Sequence, residues 1–156
     1  MENIVGGLAK TEASNEDREK RADHFTKYLS DDPQYPCNAV ADQYKSSCYF
    51  LQTSRMMQLF AGDFKKIAGG CSDAPEQYRR TCFESMGRDV GGVHRDNAPQ
   101  AIAACKNAPI GTMRVGCLVG AVQDTFWDPS GQDKALGFCT LLTDKEEKDN
   151  CYQTIF

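Results

Sequence analysis

Eight cysteines fall into four pairs, and the first members, Cys37, Cys71, Cys105 and Cys139, recur every 34 residues. Their partners follow at Cys48, Cys82, Cys117 and Cys151. A fixed period of this length is the mark of a repeat array, and about 34 residues is one helix–turn–helix unit. The chemistry of the cysteines has two readings. Zinc sites bring thiolates together as CxxC or CxxxxC, often with histidine. Neither spacing occurs here, and His24 and His94 are the only histidines. Disulfides in an oxidising compartment are therefore expected, and no metal or other cofactor. Pairing within each unit leaves no cysteine over. The alternative joins Cys48 to Cys71, Cys82 to Cys105 and Cys117 to Cys139, and strands Cys37 and Cys151. Local pairing is the expectation, each closed loop stabilising the fold by ~3 kcal/mol in the chain-entropy model.

Residues in the same register define the helices. Asp63 and Asn97 each stand eight positions before a first cysteine, and Gly131, at the equivalent place, follows Ser130. Such side-chain oxygens accept bonds from the free amides of a first helical turn. The segments after them repeat apolar residues at Ile67, Ala101 and Ala135, then Ala68, Ile102 and Leu136. This predicts a short helix ending near each first cysteine. A second helix is expected to open at Pro75, at Pro109 and at the capping box Thr143–Glu146. It carries the second cysteine, preceded by Tyr44, Tyr78 or Met113 and followed by Tyr49, Phe83, Leu118 or Tyr152. One hairpin cannot bury that stripe, whereas stacked hairpins can. The predicted fold is all-α, an α-solenoid of about four disulfide-bridged hairpins.

The chain is read as a single helical repeat domain over 1–156, cut from a longer protein. Residues 1–36 are expected to form N-terminal helices, one of them from Ser14 to Leu29, with repeats opening at 37, 71, 105 and 139. The N-terminus lacks the basic-then-apolar pattern of a signal peptide, and the cysteine usage assigns an extracytoplasmic location, periplasmic or secreted. No apolar run approaches the roughly 18 residues of a membrane span. A formal net charge of -4, with no basic tract, argues against a nucleic-acid partner.

Gly131-Gln-Asp-Lys-Ala135 leading to Cys139, with Cys117-Leu-Val-Gly120 upstream, resembles the Sel1-like, tetratricopeptide-related repeats, particularly their secreted cysteine-rich members. The resemblance extends over roughly residues 37–156 and implies a helical scaffold that binds another protein or peptide. The expected contact residues lie on the second helix of each hairpin, past its cysteine: Arg55, Met57, Arg88, Phe126 and Trp127. Aromatic residues, methionine and arginine are enriched where interfaces bury their centres. Met56, Met57, Phe60 and Phe126 also suit core packing between hairpins, and Arg79, Arg80 and Arg88 suit a solvated face. Two further classes stay open: a small secreted or periplasmic enzyme using the groove, and a structural spacer.

No catalytic residue is assigned. Ile4-Val-Gly-Gly7 matches the new N-terminus of an activated trypsin-like protease, without any other element of one. His94-Arg-Asp96 matches a kinase catalytic loop, without the glycine-rich loop or the metal-binding motif. His94 with Asp96 and either Ser72 or Ser85 would need mutual contact to act as a nucleophilic site.

Overall fold

A computed structural model describes residues 30–156. The chain divides into two compact units, Met1–Asp31 and Asp32–Phe156, and the described helices all belong to the second. The expected helix from Ser14 to Leu29 and the Ile4–Gly7 motif lie outside the described residues. Among the described residues eight helices run in order: α1 Asp42–Tyr49, α2 Gln52–Leu59, α3 Phe64–Ser72, α4 Glu76–Val93, α5 Ala98–Cys105, α6 Thr112–Phe126, α7 Gln132–Leu141 and α8 Lys145–Ile155. No strand occurs among the described residues, so the described chain is all-α. None of these helices is long and apolar enough to cross a membrane.

The helix starts follow from local chemistry. Asp63 accepts from the amides of Lys65 and Lys66 at the head of α3, and Asn97 accepts from Gln100 at the head of α5. Gly131 opens α7 without a side-chain cap, and its role is steric. A Cβ there would lie 1.7 Å from the carbonyl oxygen of Thr125, so only glycine lets the chain turn beneath α6. At α8 the cap is Asp144, which accepts from Glu147, rather than Thr143. Pro75 precedes the first turn of α4 as its N-cap residue. Pro109 lies outside α6, which starts after Gly111 at φ 95°.

Four disulfides join Cys37–Cys48, Cys71–Cys82, Cys105–Cys117 and Cys139–Cys151, with Cα–Cα distances between 5.4 and 5.6 Å. The local pairing is the one formed, and no cysteine is free. Three bridges tie neighbouring helices, α3 to α4, α5 to α6 and α7 to α8. The first departs from expectation, because Cys37 lies in a run of turns over 33–39 and not at the end of a helix. The helix after it is also broken, with α1 ending at Tyr49 and α2 opening at Gln52. Gln52 is buried and donates its amide to the carbonyls of Pro33 and Tyr35 at 2.6 and 2.8 Å. That demand of a buried polar group fixes where α2 begins.

Helices α4 and α6 make the most extensive contact; α2 packs on α4 and α8 on α6, while α3, α5 and α7 contact one another in sequence. Between the two rows lies the core of Met56, Ile67, Phe83, Met86, Val90, Leu118, Val122 and Phe138. The predicted stripe is buried at Ile67, Ala101 and Ala135, and at Tyr49, Phe83 and Leu118. Tyr44 departs from it and is 59% exposed. The buried face of α1 is occupied by Tyr49, which stacks on Tyr78 at 4.9 Å between ring centres.

The α4–α6 crossing is a glycine seam. Gly87 and Gly91 on α4 face Cys117 and Ala121 on α6, and Gly116 and Gly120 on α6 face Arg80 and Glu84 on α4. A Cβ on Gly87 would lie 2.0 Å from the carbonyl oxygen of Cys117, and one on Gly120 would lie 2.1 Å from that of Glu84. Backbones this close leave no room for a side chain at Gly87 or Gly120.

Candidate functional site: a groove over α2, α4 and α6

The seam fixes what lies beside it. Asp89 sits on α4 between Gly87 and Gly91, facing the hydroxyls of Thr53 and Ser54 on α2. Thr53 donates to Asp89 Oδ2 at 2.6 Å, and Ser54 lies 3.4 Å from Oδ1. Thr53 Oγ1 is also 2.6 Å from Ser85 Oγ. A hydroxyl has one proton, so with Thr53 committed to Asp89, Ser85 donates to Thr53. Thr53 and Ser85 are fully buried, and this chain satisfies both.

Burial pushes the Asp89 carboxyl above the usual carboxylate range, against the Thr53 hydrogen bond and the charge of Arg88. Asp124 on α6 adds to the upward push. Asp89 opens into a cleft of about 470 Å³ walled by Leu51, Met57 and Val93, with Ser54, Arg88 and Asp124 at its edges. Leu51 and Val93 are more than half exposed. A second depression of about 380 Å³, over Phe50, Thr81 and Glu84, adjoins the first at Leu51.

Of the five expected contact residues, Met57 and Arg88 meet in this cleft. Arg88 is largely engaged already. Its guanidinium lies 4.0 Å over the Phe50 ring, and Nη2 donates to the Phe50 carbonyl, left free where α1 ends. Arg55 donates to Gln58 at 3.2 Å and is not part of the cleft lining. Phe126 packs against the core. Trp127 is 80% exposed at the end of α6, edge-on to Phe126 and away from the cleft lining. Arg79 donates to the Ala74 carbonyl and Arg80 pairs with Glu84.

The imagined serine site does not assemble. His94 packs its ring against Phe64, Ser72 donates to Ala68, Ser85 bonds Thr53, and Asp96 pairs with Lys134.

Sequence reading passed over Asp89, Asp124, Leu51 and Val93. A signal existed for the carboxylates: Asp89 and Asp124 each stand seven residues past the second cysteine of their unit. In comparisons with known proteins, no family model matches the chain, and neither does any curated protein or solved structure.

Proposed function

We propose that this chain is an extracytoplasmic protein- or peptide-binding scaffold, its hairpins stacked as a Sel1-like solenoid with the 34-residue period of its cysteines. The four disulfides support an oxidising compartment, because such bonds do not persist in a reducing cytosol. The consecutive contacts α2–α4, α4–α6 and α6–α8 support the stacking of equivalent helices.

One observation carries the binding role. Asp89 is a carboxylate whose burial works against its charge, yet it faces an apolar-walled cleft. Perturbed acids in clefts concentrate at functional sites. A basic side chain entering the cleft would neutralise Asp89, and its neighbours in the peptide would cover Leu51, Met57 and Val93.

Selection of displayed random peptides on the oxidised chain tests this reading. Enriched peptides are expected to carry lysine or arginine beside apolar residues. Asp89→Asn is expected to remove the basic preference, and Leu51→Glu to remove binding. Enrichment of acidic peptides, or selection unchanged by both variants, would overturn it.

A further inference from the structure

A separate cleft of about 420 Å³ opens on the other row of helices, between α5 and α7. Its size falls within the roughly 300–1,000 Å³ usual for small-ligand sites, which combine an apolar body with a few polar groups. The floor is buried Phe138 with Ala98 and Thr125, and the Thr125 hydroxyl is spent on the Ala121 carbonyl at 3.0 Å. The lip is Leu141, half exposed, and Gly137, where an added Cβ would meet nothing within 4 Å. The open space above Gly137 is part of what makes the cleft accessible.

Two cations, Arg95 and Lys134, line the cleft together with the carboxylate of Asp96. Asp124 and Asp128 accept from the two terminal nitrogens of Arg95, at 3.0 and 3.1 Å, and neutralise it, so Lys134 is the cation an incoming acid group can use. Lys134 holds Asp96 at 2.5 Å, but that carboxylate is 80% exposed, and exposed pairs of this kind contribute little. An incoming acid group can therefore replace Asp96 on Lys134 at small cost. A depression of about 250 Å³ over Pro99, Ile102 and Lys106 adjoins the cleft at Leu141.

We infer that the α5–α7 cleft binds a small organic anion with an apolar body, the acid group on Lys134 and the body on Phe138 and Leu141. The inference stands apart from the groove over α2, α4 and α6, since the two clefts share no lining residue.

Anilinonaphthalene sulfonate is a suitable probe, an aromatic anion whose fluorescence rises on burial, and N-phenylnaphthylamine is its neutral counterpart. Titrated into the oxidised chain, the sulfonate is expected to saturate at one equivalent and to bind more tightly than the neutral probe. Gly137→Phe fills the cleft from a position with free space, and Leu141→Glu places an acid on its exposed lip. Both are expected to weaken the sulfonate by at least about tenfold while leaving the helical melt in place. Lys134→Gln is expected to weaken the sulfonate about two- to fivefold and to leave the neutral probe unchanged. Asp89→Asn should alter neither probe, which separates this site from the peptide groove. Absence of saturable binding, or binding indifferent to both Gly137→Phe and Leu141→Glu, would overturn the site. Equal affinity for the two probes, insensitive to Lys134→Gln, would overturn the anion.

Discussion

Alanine in place of glycine should have opposite effects at different helical positions of this chain. In a helix interior the exchange favours folding by up to ~1 kcal/mol, because glycine has more backbone freedom to lose. At Gly69 in α3 and Gly137 in α7 an added Cβ meets nothing within 4 Å, so that gain should appear undiminished. At Gly87 the Cβ would stand 2.0 Å from a backbone oxygen of α6, and at Gly120 it would stand 2.1 Å from one of α4. Relieving either contact needs a separation of about 1 Å between two helices whose other side chains are already close-packed. A carbonyl inside a helix cannot rotate away, so the helices themselves must part. Overpacking of this sort costs ~1–3 kcal/mol or more, and parting α4 from α6 also loosens Val90, Leu118 and Val122 beneath the crossing. The net effect at Gly87 and Gly120 is a loss of ~2 kcal/mol or more, about 3 kcal/mol below the alanine variants of Gly69 and Gly137. Urea unfolding of the oxidised variants, followed by far-UV circular dichroism, measures that gap directly. If Gly87→Ala and Gly120→Ala unfold within about 0.5 kcal/mol of Gly137→Ala, the seam is not closed and the packing argument fails. A closed seam also matters to the groove, since Asp89 lies between two of its glycines.

Asp89 gives a prediction with a defined sign in pH. Its folded pKa is raised by burial, so its unfavourable contribution is absent below the unfolded value of about 3.9 and develops as pH rises through the folded value. Asp89→Asn keeps an acceptor for Thr53 and should raise the melting temperature relative to wild type near neutral pH, the advantage fading toward about pH 4. An advantage that grows with acidity would refute the assignment. Arg88→Ala removes the donor to the Phe50 carbonyl and the cation over its ring, at a cost of ~1–2 kcal/mol. Hydrogen exchange should quicken over Asp42–Leu51 while α6 keeps its protection; uniform quickening would point to global loss instead. Replacing Cys105 and Cys117 together by alanine should cost ~3 kcal/mol from loop closure, read as a lower urea midpoint, and a midpoint unchanged would remove the disulfide from the account of stability.

The cysteine register made the helical pairing and the bridges legible because both are local: each loop is closed by residues 11 or 12 apart. Asp63 and Asn97 were legible as caps for the same reason, their bonds reaching only two or three residues on. Legibility fails where a distant group decides. The break between α1 and α2 depends on Gln52 reaching carbonyls 17 and 19 residues back, and nothing in the apolar pattern of 42–59 announces it. Thr143 and Asp144 are neighbouring residues that can both cap, and the capping-box spacing to Glu146 points to Thr143 although aspartate is the better cap. The groove is the hardest case, since its bonds span 32 to 36 residues, close to the 34-residue spacing of the first cysteines. That separation is itself the clue. In a stack of equivalent helices, positions one period apart become neighbours. Hydroxyls in one unit and a carboxylate in the next are therefore candidates for contact before any coordinates are known. The four-residue spacing of the glycines at 87 and 91, and at 116 and 120, marks which two helices can approach closely enough to bring them together.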